Sequence, residues 1–153
     1  MTDTNISFSI PLDDDGFVTL QCPFCNSNFK LTGTDAMDDS VYETFCPYCG
    51  LVAEPNQFLT DEVIEKAMRL AENHMFEMLN GFQKNIEKSF KKNRFLKVKT
   101  SPKLKMNSPK LIVESDNMET YNVPCCEKDV KLSIIDDTLY CPFCGGETNG
   151  NIN

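Results

Sequence analysis

The 153-residue sequence predicts an α+β protein in which two small β modules are joined by a long amphipathic helix. The eight cysteines fall into two sets of four, separated by a long stretch without cysteine. That stretch carries apolar residues at alternating spacings of four and three, which is typical of one face of a helix. Around each cysteine set, short apolar runs end at turn residues, which is typical of strands.

Composition and charge narrow the class of protein. The hydrophobic fraction is 41% and the charged fraction 25%, values typical of globular chains. The sequence has no run of eighteen apolar residues and no basic and apolar leader, so we expect a cytoplasmic protein without membrane contact. Many cysteines in such a chain indicate metal binding rather than disulfides.

The net charge of −8 is distributed unevenly along the chain. Residues 1–83 carry −11, residues 84–110 carry +9, and residues 111–153 carry −6. An acidic chain is a poor general ligand for nucleic acid, so the basic stretch 84–110 stands out as a local exception.

The N-terminal module is predicted to span residues 1–58. Asp13 to Gly16 form a turn between two strands, because aspartates and a glycine separate two apolar runs. An acidic loop, 32–40, lies further along the module. The predicted strands are 8–12, 17–20, 28–31 and 41–45.

The long helix is predicted over residues 60–92, within a segment bounded at 59–93. Thr60 is a good N-cap, and Asp61 and Glu62 suit the positive end of the helix dipole. The helix would be about 50 Å long at 1.5 Å per residue. Its near-heptad apolar stripe exceeds what two small modules can cover, so the sequence predicts a coiled coil that forms a homo-oligomer. The stripe consists of Ile64, Met68, Ala71, Met75, Met78 and Phe82.

Residues 94–153 are predicted to hold the basic segment and the C-terminal module. Strands are expected at 95–99, 111–114, 121–123, 130–135 and 138–140. The polar, glycine-rich tail from Gly145 is expected to be frayed.

The first cysteine set has the spacing of a tetrahedral metal site. Cys22 and Cys25 form one Cys-x-x-Cys turn, and Cys46 and Cys49 form a second, with twenty residues between the two turns. Two such turns on adjacent hairpins direct four thiolates to one centre, while backbone N–H groups donate to the sulfurs. A catalytic dithiol is the alternative, but a helix should then follow the second cysteine, and Gly50-Leu51-Val52 follows here.

The second set is less regular. Cys141 and Cys144 form another Cys-x-x-Cys turn, but their upstream partners, Cys125 and Cys126, are adjacent. Adjacent side chains of a strand point to opposite faces, so both can bind one metal only if the chain bends, and Pro124 favours a bend. The alternatives are three cysteines with a remote ligand, or a site in which one thiol belongs only to the core.

These motifs resemble those of zinc-ribbon proteins with rubredoxin-like knuckles. The layout also resembles uncharacterised bacterial proteins in which two zinc ribbons flank a helix; the matching lead is residues 11–17, Pro-Leu-Asp-Asp-Asp-Gly-Phe. The resemblance implies two small β zinc ribbons joined by a long amphipathic helix, with two Zn²⁺ per chain. It further implies a bacterial, cytosolic, metal-stabilised accessory protein. Rubredoxins hold iron with similar knuckles, so iron remains the alternative metal.

Three functions follow from these features, in order of preference. The first is a non-enzymatic zinc-binding adaptor that presents ribbon loops to a protein partner, since no catalytic residues are recognisable. The second is nucleic-acid binding through the basic stretch, with Lys91, Lys92, Arg94, Lys97, Lys99, Lys103 and Lys105 contacting phosphates. The third is a thiol or metal sensor using Cys125 and Cys126.

Overall fold

The computed structural model describes residues 9–93, 95–108, 112, 117–133 and 138–149. It divides the chain into two compact units. The sheet unit comprises Ile10–Val63 and Ile112–Asn153, and the helix unit comprises Met1–Ser9 and Ile64–Leu111. The predicted α+β class is confirmed, with small antiparallel sheets and one long helix.

A four-stranded antiparallel sheet forms the centre of the sheet unit. Its strands are β1 (Phe17–Gln21), β2 (Asn28–Thr32), β5 (Glu119–Val123) and β6 (Lys128–Leu132), in the order β1-β2-β6-β5. Two small hairpins accompany it: β3 (Thr44–Phe45) with β4 (Val52–Ala53), and β7 (Thr138–Tyr140) with β8 (Glu147–Asn149). Because β2 pairs with β6, strands from the two cysteine modules lie side by side in one sheet.

The hydrophobic core lies on one face of this sheet. Alternate residues of each strand point to that face, as the two-residue period of a strand requires. Phe58, from a short 3₁₀ helix at Pro55–Phe58, packs edge-to-face on Phe29 with ring centroids 5.7 Å apart. The strand residues of the core are Leu20, Phe29, Leu31, Tyr121, Val123, Val130 and Leu132.

The opposite face buries charge. Lys30 and Lys131 face each other across the β2–β6 pair, and both are almost completely buried. Asp13 accepts from both ammonium groups, at 3.1 Å from Lys30 and 2.9 Å from Lys131, and Asp15 lies 2.7 Å from Lys131. The predicted Asp13 turn therefore forms, and it covers this face of the sheet.

The two cysteine modules have the same local structure on either side of the β2–β6 pair at the centre of the sheet. In the first, the N–H of Asn26 donates to the Cys22 carbonyl (3.0 Å). In the second, the N–H of Glu127 donates to the Val123 carbonyl (2.8 Å). Both donors have positive φ, 59° and 54°. The strands of the β1–β2 hairpin pair in the same way as those of the β5–β6 hairpin. Cys22-Pro23-Phe24-Cys25 therefore corresponds position by position to Val123-Pro124-Cys125-Cys126.

The small hairpins also interlock reciprocally. The Phe45 N–H donates to the Pro142 carbonyl (3.0 Å), and the Tyr140 N–H donates to the Pro47 carbonyl (2.9 Å). Gly50 and Gly145, both with positive φ, lie against the rings of Tyr140 and Phe45. A Cβ on Gly145 would come within 2.7 Å of the Phe45 ring, so glycine is required there by both conformation and space.

The long helix, α2, runs over Asp61–Phe90 and agrees with the predicted helix over 60–92. The predicted N-cap is confirmed, since the Thr60 hydroxyl accepts from the Val63 N–H at 3.4 Å. None of the described helices is long and apolar enough to cross a membrane.

In the helix unit, residues 100–107 run back along α2 and form the returning segment. Asn73 and Asn80 each bond both the N–H and the carbonyl of one residue, Asn107 and Leu104 respectively. Glu87 accepts from the Thr100 hydroxyl. Seven helical residues rise about 10.5 Å, which matches three extended residues at about 3.4 Å each. The heptad spacing of Asn73 and Asn80 therefore fits extended backbone from Leu104 to Asn107. Thr100, four residues before Leu104, reaches Glu87 one heptad further along the helix.

Several strand predictions for the N-terminal module need correction. Residues 9–12 are not in a strand, and Phe8 lies outside the described residues. The predicted strand 41–45 is reduced to Thr44–Phe45. The acidic loop 32–40 contains a short helix, α1 (Gly33–Ala36), because the Thr32 hydroxyl caps Asp35.

The C-terminal predictions also need correction. Residues 95–99 are not in a strand, since none of the described strands pairs with them. The predicted strand 130–135 is replaced by β6, which begins and ends earlier, and 134–135 lie outside the described residues. The tail is ordered as far as Asn149, because β8 pairs with β7. Of the predicted strand 111–114, only Ile112 is described, and it is not in a strand.

Candidate metal centres

The structure brings the first four predicted ligands together. Cys22, Cys25, Cys46 and Cys49 form one cluster, with all four sulfurs within 4.8 Å of one another. The two turns that carry them also point N–H groups at sulfur. Phe24 donates to Cys22 and Tyr48 to Cys46, both at 3.4 Å. Such N–H···S bonds stabilise thiolates, as expected of metal-binding knuckles.

The second four also converge. Cys125, Cys126, Cys141 and Cys144 lie within 4.8 Å of one another. The adjacent pair reaches one centre because residues 124–127 form a turn in which Glu127 has positive φ, so the alternation of a strand does not apply. In the first module, Cys22 and Cys25 occupy the first and fourth positions of the turn. In the second module, Val123 occupies the first position, and the corresponding cysteine is instead at the third position, Cys125, which matches Phe24.

The sulfur separations fit a tetrahedral ion. A tetrahedron with Zn–S bonds of about 2.3 Å places its sulfurs about 3.8 Å apart. The observed separations are 3.7 Å for Cys22–Cys49, 3.6 Å for Cys25–Cys46 and 3.5 Å for Cys125–Cys144. Disulfide-bonded sulfurs would be about 2.05 Å apart, and all eight cysteines are free.

Without a cation, burial and neighbouring thiols oppose the ionisation of several of these cysteines. Desolvation and the neighbouring thiols of Cys141 and Cys144 raise the pKa of Cys125 to about 12 and that of Cys126 to about 11. Burial raises the pKa of Cys46 still further. Burial alone would also raise the pKa of Cys25, but hydrogen bonds with Ser27 and neighbouring thiols lower it to about 7. A divalent cation reverses the repulsion between thiolates, so these sets suit a metal.

The two clusters differ in exposure. Cys22 and Cys46 are buried in the first cluster, and Cys25 is its exposed member. In the second, only Cys141 is buried, while Cys125 and Cys144 are exposed. The shifted ligand accounts for part of this difference, because Cys125 occupies the outward position that Phe24 takes in the first module.

The residues predicted to mediate oligomerisation lie on α2. Ile64, Met68, Met75, Met78 and Phe82 are exposed, and Ala71 is partly buried. The returning segment does not cover this stripe. Asn73 and Asn80 lie on the opposite side of the helix, about 160–180° around the axis from Ile64.

The predicted nucleic-acid residues are only partly gathered together. Lys91, Lys92, Lys97 and Lys99 line a groove at the end of α2, together with Lys84 and Lys88, which the sequence analysis did not include in its phosphate-contacting set. Lys103 and Lys105 are exposed and do not line it, and Arg94 lies outside the described residues.

The chain was compared with protein-family models, with curated proteins and with solved structures, and no match was found. The two four-cysteine clusters are compatible with zinc ribbons. They define a protein with two potential metal-binding sites in one sheet unit.

Proposed function

We propose that this protein is a non-enzymatic adaptor whose sheet unit is stabilised by two zinc ions and presents knuckle loops to a protein partner. The observation that carries the proposal is the pair of four-sulfur clusters. A tetrahedral ion with four cysteine ligands has no open position for substrate or water, so such sites are structural. Iron would satisfy the same geometry, and metal analysis of purified protein decides between the two.

The first module has the better surface for a partner. Phe24 is 54% exposed in the first knuckle, and Leu51 is 50% exposed immediately after the second. The repeat places Cys125 and Gly146 at these positions in the second module. Large apolar side chains on exposed loops of a metal-stabilised module are typical contact residues. We infer that the duplicated modules have diverged, and that the first one contacts the partner.

Self-association through α2 is the second part of the proposal. Methionine and phenylalanine side chains at near-heptad spacing stay exposed on the face away from the returning segment. A second copy of the chain would cover them, and the adaptor would then present its knuckles in more than one copy.

The partner surface is tested by quantitative affinity capture from the native cell, with nuclease added to remove nucleic acid. We expect the double variant Phe24→Ser/Leu51→Ser to lose the main co-purifying protein and to keep its metal content. Tyr42→Ser is the matched control, because Tyr42 is 80% exposed but lies outside the knuckles. Equal recovery of the partner by both variants would contradict the assignment of the surface.

A further inference from the structure

The end of α2 and the chain that follows it enclose a basic groove in the helix unit. Its volume is about 840 Å³. The walls come from the last two turns of the helix and from residues 91–93 and 96–99. The lysines that line it are Lys84, Lys88, Lys91, Lys92, Lys97 and Lys99.

The positive charge of this groove is not neutralised from within. Among the described lining residues, Glu87 is the acidic one, and its carboxylate accepts from the Thr100 hydroxyl. None of the six lysines forms an ion pair in the described part of the chain. Six ammonium groups in a concave surface attract and concentrate an anionic ligand.

The second wall of the groove is held in place by the helix. Asn80 bonds both backbone groups of Leu104, and Glu87 bonds Thr100, so the chain beyond the groove is fixed along α2. Lys97 and Lys99 alternate with Leu96 and Val98 just before these bonds. In extended backbone such residues are about 6.8 Å apart, and they can follow a repeating anion such as a phosphate backbone.

An exposed aromatic residue is adjacent in sequence to a residue that lines the groove. Phe95 is 97% exposed and immediately precedes Leu96, which lines the groove. Phe90, another lining residue, is partly exposed. A fully solvated phenylalanine beside a cationic groove is the combination that binds phosphates and stacks an unpaired base.

We propose that this groove binds single-stranded nucleic acid. A duplex presents no unpaired base to Phe95. A short single strand can instead lie within the groove. Lysines act as point charges without a fixed fork, so the binding is expected to be tolerant of sequence. This inference does not depend on the adaptor role.

The test is fluorescence anisotropy with labelled oligo-dT and oligo-U of about twelve nucleotides, within the range of known single-strand site sizes. The full, metal-loaded chain is titrated at several salt concentrations. If all six lysines neutralise phosphates, the log–log salt slope should be about −4, near −0.7 for each phosphate. We expect a hairpin duplex of equal charge to bind more weakly.

Two charge-matched variants locate the site. Lys97→Glu/Lys99→Glu should weaken binding by at least tenfold, because both lysines line the groove. Lys103→Glu/Lys105→Glu makes the same change of charge in the same segment but outside the groove, and it should weaken binding much less. Phe95→Ala should lower affinity about tenfold without changing the salt slope, since one stacked base contributes on the order of 1–3 kcal/mol.

Several outcomes would overturn the proposal. These are no binding at low salt, equal loss in the two lysine variants, or tighter binding to phosphatidylserine vesicles than to oligonucleotides. Circular dichroism and metal content establish that each variant is folded. If Lys97→Glu/Lys99→Glu disturbs the returning segment, Lys84→Glu/Lys88→Glu tests the helix wall independently, with the same tenfold loss expected.

Discussion

At the scale of single residues, Asp13 is the most informative position in the sheet unit. Like charges directly opposite each other on paired strands are destabilising, and Lys30 faces Lys131 across β2 and β6. The Asp13 carboxylate bonds both ammonium groups through one oxygen and the N–H groups of Asp15 and Phe17 through the other. A single side chain therefore fixes the leading turn to strands of both modules.

The pKa of Asp13 reflects this environment. Burial alone would raise it, but the N–H of Phe17 and the ammonium groups of Lys131 and Lys30 hold it well below its usual range. Because the folded-state pKa lies below the unfolded value of about 3.9, the carboxylate stabilises the fold above that pH. The contribution is lost as pH falls below about 4 toward the folded-state pKa.

We predict that Asp13→Asn lowers the free energy of unfolding by about 3–5 kcal/mol at neutral pH, since it removes the shared partner of two buried cations. Asp14→Asn, an exposed neighbour in the same turn, should change it by less than about 0.5 kcal/mol. Urea unfolding of the metal-loaded proteins measures both. The difference between wild type and Asp13→Asn should shrink below about pH 4; a difference that grew there would contradict the sign of the pKa shift.

The sequence shows that residues 13–16 form a turn, but not that Asp13 holds two lysines. Turn formation depends on neighbouring residues, which a local pattern contains. The role of the carboxylate depends on β2 meeting β6, two strands far apart in the chain. In the same way, Lys128 bonds Asp35 of the predicted acidic loop at 2.7 Å, a contact that no local pattern indicates.

At the scale of the secondary-structure elements, α2 presents two different faces. One face holds the returning segment through Asn73, Asn80 and Glu87. The opposite face carries the apolar stripe, in which Met75 is 58% exposed. The stripe is evident from sequence because apolar residues recur with the helical period. The polar residues that hold the returning segment have the same seven-residue spacing. Polar residues at that spacing are also typical of an ordinary solvent-exposed helix face, so their contact with the returning segment could not be predicted.

Exposed apolar side chains at near-heptad spacing favour pairing with a second helix. We therefore expect the wild-type chain to give at least a dimer mass by light scattering at micromolar concentration, and Met75→Glu to give a monomer. Gln83→Glu introduces the same charge off the stripe and should retain the oligomer. A wild-type monomer whose mass and stability are the same as those of Met75→Glu would show that the stripe does not mediate assembly.

At the scale of the whole molecule, the two cysteine modules belong to one compact unit and contribute strands to one sheet. The β2–β6 pair joins their strands. Each module also accepts a backbone hydrogen bond from the other, since Phe45 donates to Pro142 and Tyr140 donates to Pro47. The Tyr48 hydroxyl adds a further link, since it accepts from the Ser133 N–H at 3.0 Å and donates to the Asn28 carbonyl at 3.1 Å.

Three of the four cysteine pairs in the two clusters were predictable, because Cys-x-x-Cys spacing encodes local geometry. The convergence of the adjacent pair Cys125-Cys126 depends on the turn at 124–127, and the sequence left it open. The pairing of the modules was not predictable, because it joins segments separated by the whole of α2 and its returning segment. The repeat is only partly visible in the sequence. Cys46-Pro47-Tyr48-Cys49-Gly50 resembles Cys141-Pro142-Phe143-Cys144-Gly145, but Val123-Pro124-Cys125-Cys126 shares only a proline and the final cysteine with Cys22-Pro23-Phe24-Cys25. For these leading turns, the matching register and the positive φ of Asn26 and Glu127 reveal the equivalence.

This coupling leads to a prediction about metal binding. Two potential four-cysteine sites suggest two zinc ions per wild-type chain. Each structural site contributes about 10–16 kcal/mol, which is comparable to the whole stability of a domain at about 5–15 kcal/mol. In Cys141→Ser/Cys144→Ser, loss of the second site should therefore also release the first. We expect well below one zinc per chain by native mass spectrometry and loss of the strand signal by circular dichroism.

Independent ribbons would behave differently. One zinc would stay bound at Cys22, Cys25, Cys46 and Cys49, with half of the strand signal, and that result would contradict the coupling. Asp14→Ser/Asp39→Ser provides a control for substitution itself, since both residues are exposed and neither belongs to a cysteine cluster. Chelator titration of the wild type gives a second measure: both ions should leave in one cooperative step, because the shared sheet cannot persist when either site is empty.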